Sequence, residues 1–307
     1  MINYHKSVLV EKVVENLNVT TAALIIDATL GDGGHAYALL QAMPEDGRVI
    51  GIDLDPDALA RSKQRLSQFG ERFQAIEGNF GDLEALLEKH GVRNVDGVLA
   101  DLGISQLQIT DASKGFMYSG SGPLAMTMGN RSSLNAETVV NELSEDELAR
   151  VIWKYGEERD AKRIARAIVS QRRLHRITTT DQLADIVRKT VRHRFVVKTL
   201  ARVFQAIRIY VNKELESLER FLPQAENVLR SGGRLVVISY HSLEDRRVKE
   251  FFRKEANPCE CPPELPQCVC GKKPRLKIIN KLIRPTAEEI AHNPSARSAK
   301  MRVAEKI

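Results

Sequence analysis

The spacing of apolar positions changes character twice along the chain. Through the first hundred residues, short segments rich in aliphatic residues at Leu24 to Ala28, Arg48 to Ile52, Phe73 to Glu77 and Val95 to Leu99 predict strands. Between them, apolar residues recur at spacings of three and four over His35 to Ala42, Asp57 to Gln68 and Asp82 to His90, after an opening helix from Ser7 to Leu17. Strands that are mostly apolar are buried on both faces, so the alternation predicts a parallel, doubly wound α/β sheet. From Gln106 to Ser132 the period disappears in a stretch rich in Gly, Ser and Met, which reads as a long mobile loop over the pocket. Helical spacing then runs without strands through Glu142 to Tyr155, Glu157 to Leu174, Thr180 to Val191 and Ala201 to Leu222, with Thr180 as the cap of a helix beginning at Asp181. The α/β pattern returns with a glycine turn, a strand from Arg234 to Ser239, a helix from Leu243 to Arg253, and a hairpin of Leu276 to Ile283 with Ala299 to Ala304. The expected organisation is an α/β domain of residues 1–107 and 206–307, interrupted by an all-helical insert of residues 108–205.

Ligands of such sheets sit outside the carboxyl ends of the strands. Those ends carry Asp27, Asp53, the Gly78 to Phe80 turn and the Asp101 to Ser105 segment. The turn after Asp27 holds Gly31, Gly33 and Gly34, the first to make the bend and the others to let backbone amides approach a ligand, unless the turn is purely structural. About twenty residues beyond the loop, Asp53 stands where a carboxylate accepts the two hydroxyls of a ribose. Asp27 and Asp32 bracket the loop, and two anions disfavour a pyrophosphate. A sulfonium and an ammonium suit them, so the loop reads as an S-adenosylmethionine pocket.

Charge adds a second polarity. The net charge is only +6, but Arg159 to Lys213 carries fifteen Lys or Arg against three Asp or Glu. A polyanionic partner would meet the insert, unless these charges are merely solvated helix faces. His5, Lys6, Glu11 and Lys12 interrupt the opening residues, and nowhere do eighteen apolar residues run together, so a cytoplasmic protein with no membrane partner is expected.

Ten segments carry a family resemblance: HKSVLVEKV, DATLGDGGHA, GIDLDP, GNF, VDGVLADLGIS, KGF, YGEERDAKRIARAIV, FQAIRIYVNKEL, GGRLVVISYHSLEDRRVK and NPSARSAKMRVAEK. With them the chain resembles the bacterial 16S ribosomal RNA methyltransferases that methylate the exocyclic N4 of a cytidine in the decoding region. The resemblance implies a Rossmann-like S-adenosylmethionine-dependent methyltransferase sheet, with 16S rRNA in the small ribosomal subunit as partner. It also implies cofactor contacts at Gly33, Gly34 and His35, at Asp53 on the ribose, at Phe80 beside the adenine, and at Asp101 and Gln108 near the methyl-donor end. Asp101 takes the catalytic place, at the end of the fourth strand where other amino-methyltransferases carry Asp or Asn. There it orients the amine or the donor for direct transfer, unless it merely caps the next segment. Tyr240, His241, Ser242, Glu244 and Asp245 end the fifth strand and are candidates for the target-base side.

Besides Ser105 to Gln108, which reads SQLQ in place of SSPQ after the fourth strand, two further regions depart from the family. Pro123 to Gly129 reads PLAMTMG in place of PLDMRMD, with Ala125, Thr127 and Gly129 for two acids and a base. Lys198 to Gln205 reads KTLARVFQ in place of HPATRTFQ. Both fall where RNA or base is expected. They keep two other readings in play: a non-catalytic ribosome-binding assembly factor that retains the cofactor pocket, and a paralogue that methylates another nucleic acid. Finally, Cys259, Cys261, Cys268 and Cys270 lie in one proline-rich loop, either as four thiolates for a structural zinc or as free thiols. The sequence leaves a homodimer open.

Overall fold

The computed structural model describes residues 7–129, 134–191, 195–262 and 269–307. In chain order, α1 (Val10–Asn16) precedes β1 (Leu24–Asp27), α2 (Gly34–Ala42), β2 (Arg48–Asp53), α3 (Pro56–Leu66), β3 (Phe73–Glu77), α4 (Leu83–Lys89) and β4 (Val95–Asp101). Six helices follow: α5 (Gln106–Thr110), α6 (Ala136–Glu142), α7 (Glu145–Gly156), α8 (Ala161–Arg172), α9 (Thr180–Thr190) and α10 (Val196–Asn212). Last come α11 (Glu214–Val228), β5 (Leu229–Ser239), α12 (Ser242–Ala256), β6 (Leu276–Ile283), α13 (Ala287–His292) and β7 (Lys300–Lys306).

The seven strands form one sheet in the order β3-β2-β1-β4-β5-β7-β6. The first five are parallel, and β7 runs antiparallel between β5 and β6. Period two along each strand divides the core between the faces: Ile25 and Leu99 join one buried cluster with Leu39 and Leu40 of α2, while Ile26 and Val98 join the other with Leu218 and Phe221 of α11. The order in which strands are added reverses at β1 and β4, which opens a crevice beyond their carboxyl ends. This strand order, with its antiparallel seventh strand, is a Rossmann-like methyltransferase sheet. The glycine turn expected before the fifth strand lies inside β5. Pairing with β4 steps from Val95–Leu229 to Gly97–Arg234, so Ser231 to Gly233 bulge out, with Gly232 at φ +79.

The chain divides into two compact units, residues 1–103 with 215–307, and residues 104–214. The second unit contains the whole of α10, one unbroken helix. That unit has its own core, built from Val140, Leu148, Ile152, Ile164, Leu183, Val187, Val203 and Ile207.

Three expectations are corrected here. The Gln106 to Ser132 stretch is not a structureless loop: Phe116, Leu124 and Met126 are buried in the helical core, and Leu124 N–H donates to Thr178 O at 2.9 Å. Residues 130–133 lie outside the described residues. Thr180 is not a cap: it is the buried first residue of α9, its hydroxyl donates to Gly120 O at 3.0 Å, and Thr179 takes the cap position. The single helix expected from Ala201 to Leu222 is two, broken at Lys213, whose φ of +50 ends α10. Among the described residues, no helix is long and apolar enough to cross a membrane.

Candidate functional site

Backbone hydrogen bonds fix the turn after β1. Leu30 N–H donates to Ile52 O at 2.9 Å and Gly33 N–H to Leu30 O at 2.8 Å, which bends the loop over the end of β2. Gly31 and Gly33 adopt φ of +51 and +73, the left-handed region that glycine enters without steric cost. The Gly33 amide is thus used inside the turn. At Gly34 a Cβ would come within 2.0 Å of Ser7 Oγ, so its smallness serves packing against the N-terminal segment.

Asp53 closes the loop from below: its two oxygens accept from Gly31 N–H and Asp55 N–H, each at 2.8 Å. Burial raises its pKa, against the pull of those amides. A carboxylate has about four lone-pair sites, so acceptor capacity remains for a hydroxyl donor. Asp32 is paired on one side only: Arg61 Nε donates to its Oδ1 at 2.7 Å, while its Oδ2 is buried with no hydrogen-bond partner among the described residues. The loop's uncompensated anionic character comes chiefly from Asp27. Asp27 is 1% exposed, and its Oδ2 has no hydrogen-bond partner among the described residues. Burial pushes its pKa up to about 6, opposed by the nearby His35 and by Thr29 N–H.

The end of β4 brings three side chains together. Tyr240 O–H donates to Asp101 Oδ1 at 2.8 Å, and His35 Nε2 lies 3.3 Å from Asp101 Oδ2. Asp101 N–H donates to Thr29 Oγ1 at 2.6 Å, which ties the end of β4 to that of β1. The carboxylate is held on both oxygens. Burial lowers the affinity of His35 for a proton, but the hydrogen bond and charge of Asp101, with the charge of Asp27, outweigh it and raise the pKa. His35 Nδ1 is buried and has no partner among the described residues. Burial and the Asp101 charge hold the Tyr240 phenol well above its ordinary pKa, so it remains a donor.

Phe80 follows β3, half-buried and edge-on to Phe221 at 5.3 Å between ring centres. Gln108 lies in the helical unit, where it and Ser105 form a reciprocal cap that opens α5. The residues after β5 mostly serve structure. His241 caps α12, Glu244 is buried and accepts from Tyr240 N–H at 2.9 Å, and Asp245 is paired with Arg302 at 2.7 Å and Lys300 at 3.2 Å. Far along the chain, the sulfurs of Cys259, Cys261 and Cys270 lie within 4.8 Å of one another; Cys268 lies outside the described residues.

Asp27, Asp53 and Asp101 therefore share one set of strand ends, and the charges of the other two act on Asp27. Such a site repels a polyphosphate and suits a cation that also offers hydroxyls. Asp27 Oδ2, Asp32 Oδ2 and His35 Nδ1, each buried with no hydrogen-bond partner among the described residues, are available to meet it. S-adenosylmethionine fits on charge and on hydrogen-bonding groups. Reading the residues in sequence missed the bracing of Asp101 by Tyr240 and Thr29, and the pairing of Asp32 with Arg61. The register supplied one signal: Asp101 faces Ile238 across the β4–β5 ladder, and Tyr240 follows two residues later.

Comparison with known proteins gives the same class. Residues 3–307 match the family model described as the MraW methylase family. The chain is 48% identical over 306 residues to Ribosomal RNA small subunit methyltransferase H of Carboxydothermus hydrogenoformans, covering 99% of this chain and 98% of that one. It is 46% identical over 305 residues to the protein of the same name from Thermomicrobium roseum, covering 99% and 94%. A solved rRNA methylase from Streptococcus thermophilus overlays on 100% of this chain and 99% of its own with a TM-score of 0.44 at 13% identity, too slight a likeness to carry argument. A match over nearly the full length, together with two relatives above forty per cent identity, decides the matter: the chain belongs to the MraW methylase family.

Proposed function

We propose that the chain transfers a methyl group from S-adenosylmethionine to the exocyclic N4 of a cytidine in the decoding region of 16S ribosomal RNA, with the small ribosomal subunit in the cytoplasm as its partner. The observation that carries the reading is the carboxylate of Asp101, fixed at the strand ends by Tyr240 and accompanied by His35. The relatives' name, Ribosomal RNA small subunit methyltransferase H, supports the substrate class.

Asp53 would hold the donor's ribose, Phe80 its adenine, and Asp27 its ammonium. The Gly33–Gly34 turn, His35 and Gln108 would complete its surroundings. When bound, the donor supplies a methyl group on a sulfonium, an electrophile good enough for direct transfer without an enzyme nucleophile. The remaining work falls to Asp101. A cytosine amine is conjugated with its ring and is a poor nucleophile, so a fixed acceptor must take its N–H bonds as the nitrogen pyramidalises. Tyr240 stops the carboxylate from rotating away, and the base must leave its stack to reach it. The basic helical unit would hold the flanking RNA by its phosphates.

Mass mapping of 16S RNA from cells lacking the gene is the test. A methyl group missing from one decoding-region cytidine, restored by the wild-type chain and not by Asp101→Ala, is the expected result. An unchanged map from a chain that still binds the donor would overturn the proposal and leave the assembly-factor reading.

A further inference from the structure

Between Ala256, which ends α12, and Leu276, which begins β6, the chain makes a loop whose cysteines have no place in the chemistry above. Cysteine is ordinarily a buried, core-filling residue. Here Cys259 is exposed, Cys261 and Cys270 are half-buried, and none of the three belongs to a hydrophobic cluster. Packing does not explain them. Their sulfurs nevertheless converge to within 4.8 Å although Cys261 and Cys270 stand nine residues apart.

The backbone around them is arranged to present sulfur. Val269 N–H donates to Cys261 Sγ at 3.4 Å, while the Val269 side chain is 77% exposed, so this residue is placed for its amide rather than for burial. An N–H directed at sulfur favours the thiolate over the thiol. Gly271, at φ +66, turns the chain directly after Cys270. Lys272 then reaches back to Glu260, between the first two cysteines, at 2.5 Å, and so pins the two arms of the loop together.

We propose that Cys259, Cys261 and Cys270 bind a zinc ion as thiolates, a structural metal site that fixes this loop. Tetrahedral zinc with bonds of about 2.3 Å sets its sulfurs about 3.8 Å apart, so the observed cluster needs side-chain adjustments of about 1 Å at most. A disulfide would join only two of these three sulfurs, whereas a metal accounts for the convergence of all three. Calcium and magnesium take oxygen donors, and a soft thiolate set selects zinc among the redox-inert cations. The ion takes no part in methyl transfer.

The test uses the full chain, purified under reducing conditions without chelator. Elemental analysis should find about one zinc per chain, released in step with thiol modification when an organomercurial is titrated in. Exchange into cobalt should produce a thiolate-to-cobalt charge-transfer band, and Cys261→Ser and Cys270→Ser should each lose it while still binding S-adenosylmethionine. Should a variant fail to fold, the wild-type zinc content and mercurial release decide alone. Absence of zinc from a wild-type chain that binds the methyl donor would overturn the proposal, as would mass mapping that finds two of these cysteines in a disulfide.

Discussion

Asp27 spends stability to keep a charge under the glycine loop. A carboxyl raised from its ordinary 3.8 to about 6 binds its proton more tightly in the folded chain than in the unfolded one. Its contribution is therefore full below pH 3.8 and is lost as pH rises through about 6. The raised His35 acts in the same sense, contributing fully below its ordinary 6.5 and losing that contribution as pH rises through its higher folded value. Thermal melts of the unliganded protein should show Asp27→Asn to be the more stable chain at pH 8, by an amount on the order of 3 kcal/mol at most, with the gap closing towards pH 4. Calorimetry should find the same variant a weaker binder of S-adenosylmethionine. Asp101 responds differently because its work is positional. Tyr240→Phe should lower kcat by about tenfold to a hundredfold, the value of one hydrogen bond to a charged group, with little change in KM for the donor. Asp101→Ala should cost about 10²- to 10⁴-fold in kcat in a chain that still folds but melts at a somewhat lower temperature, because Tyr240 and His35 lose their shared partner. A KM effect in place of a kcat effect for Tyr240→Phe would assign that residue to donor binding.

Elements whose order is local were readable from the residues, and those decided by distant contacts were not. The strand from Phe73 to Glu77 keeps its expected limits, and the neighbouring strands and helices agree within a few residues, because each is bounded by turn-forming residues close to it in sequence. Lys213 shows the opposite case. Nothing about a lysine stops a helix, yet it takes a left-handed conformation that ends α10. Left-handed backbone costs a non-glycine residue about 1–2 kcal/mol. Lys213→Gly should therefore raise the melting temperature, by an amount worth about 0.5–1 kcal/mol after glycine's entropy is counted; a fall would mean that the side chain anchors the junction. Phe116, Leu124 and Met126 were unreadable because burial without a helical or strand period looks like loop, and here backbone bonds to Thr178 and Lys114 hold them in the core. At the site, the carboxylates could be found from strand ends alone, but Tyr240 meets Asp101 across 139 residues and required the register of β5.

For the whole molecule, charge and connectivity have separate consequences. The Lys- and Arg-rich helical unit predicts RNA binding that weakens steeply with salt. Arg173→Glu with Lys189→Glu, both exposed, should reduce the slope of log K against log salt by about one to two and lower RNA affinity by about tenfold, leaving donor affinity unchanged. Filter binding across a salt series measures the first and calorimetry the second. Connectivity bears on how the molecule is made. The seventh strand lies between the fifth and sixth, so the sixth has no neighbour to join until residues 300–306 have been synthesised. The fifth in turn joins the fourth only after the intervening helical unit has been produced. Assembly from the ribosome is thus held back to a late step, and nascent chains arrested before that last strand should remain protease-sensitive along β5 while their helical part is already protected.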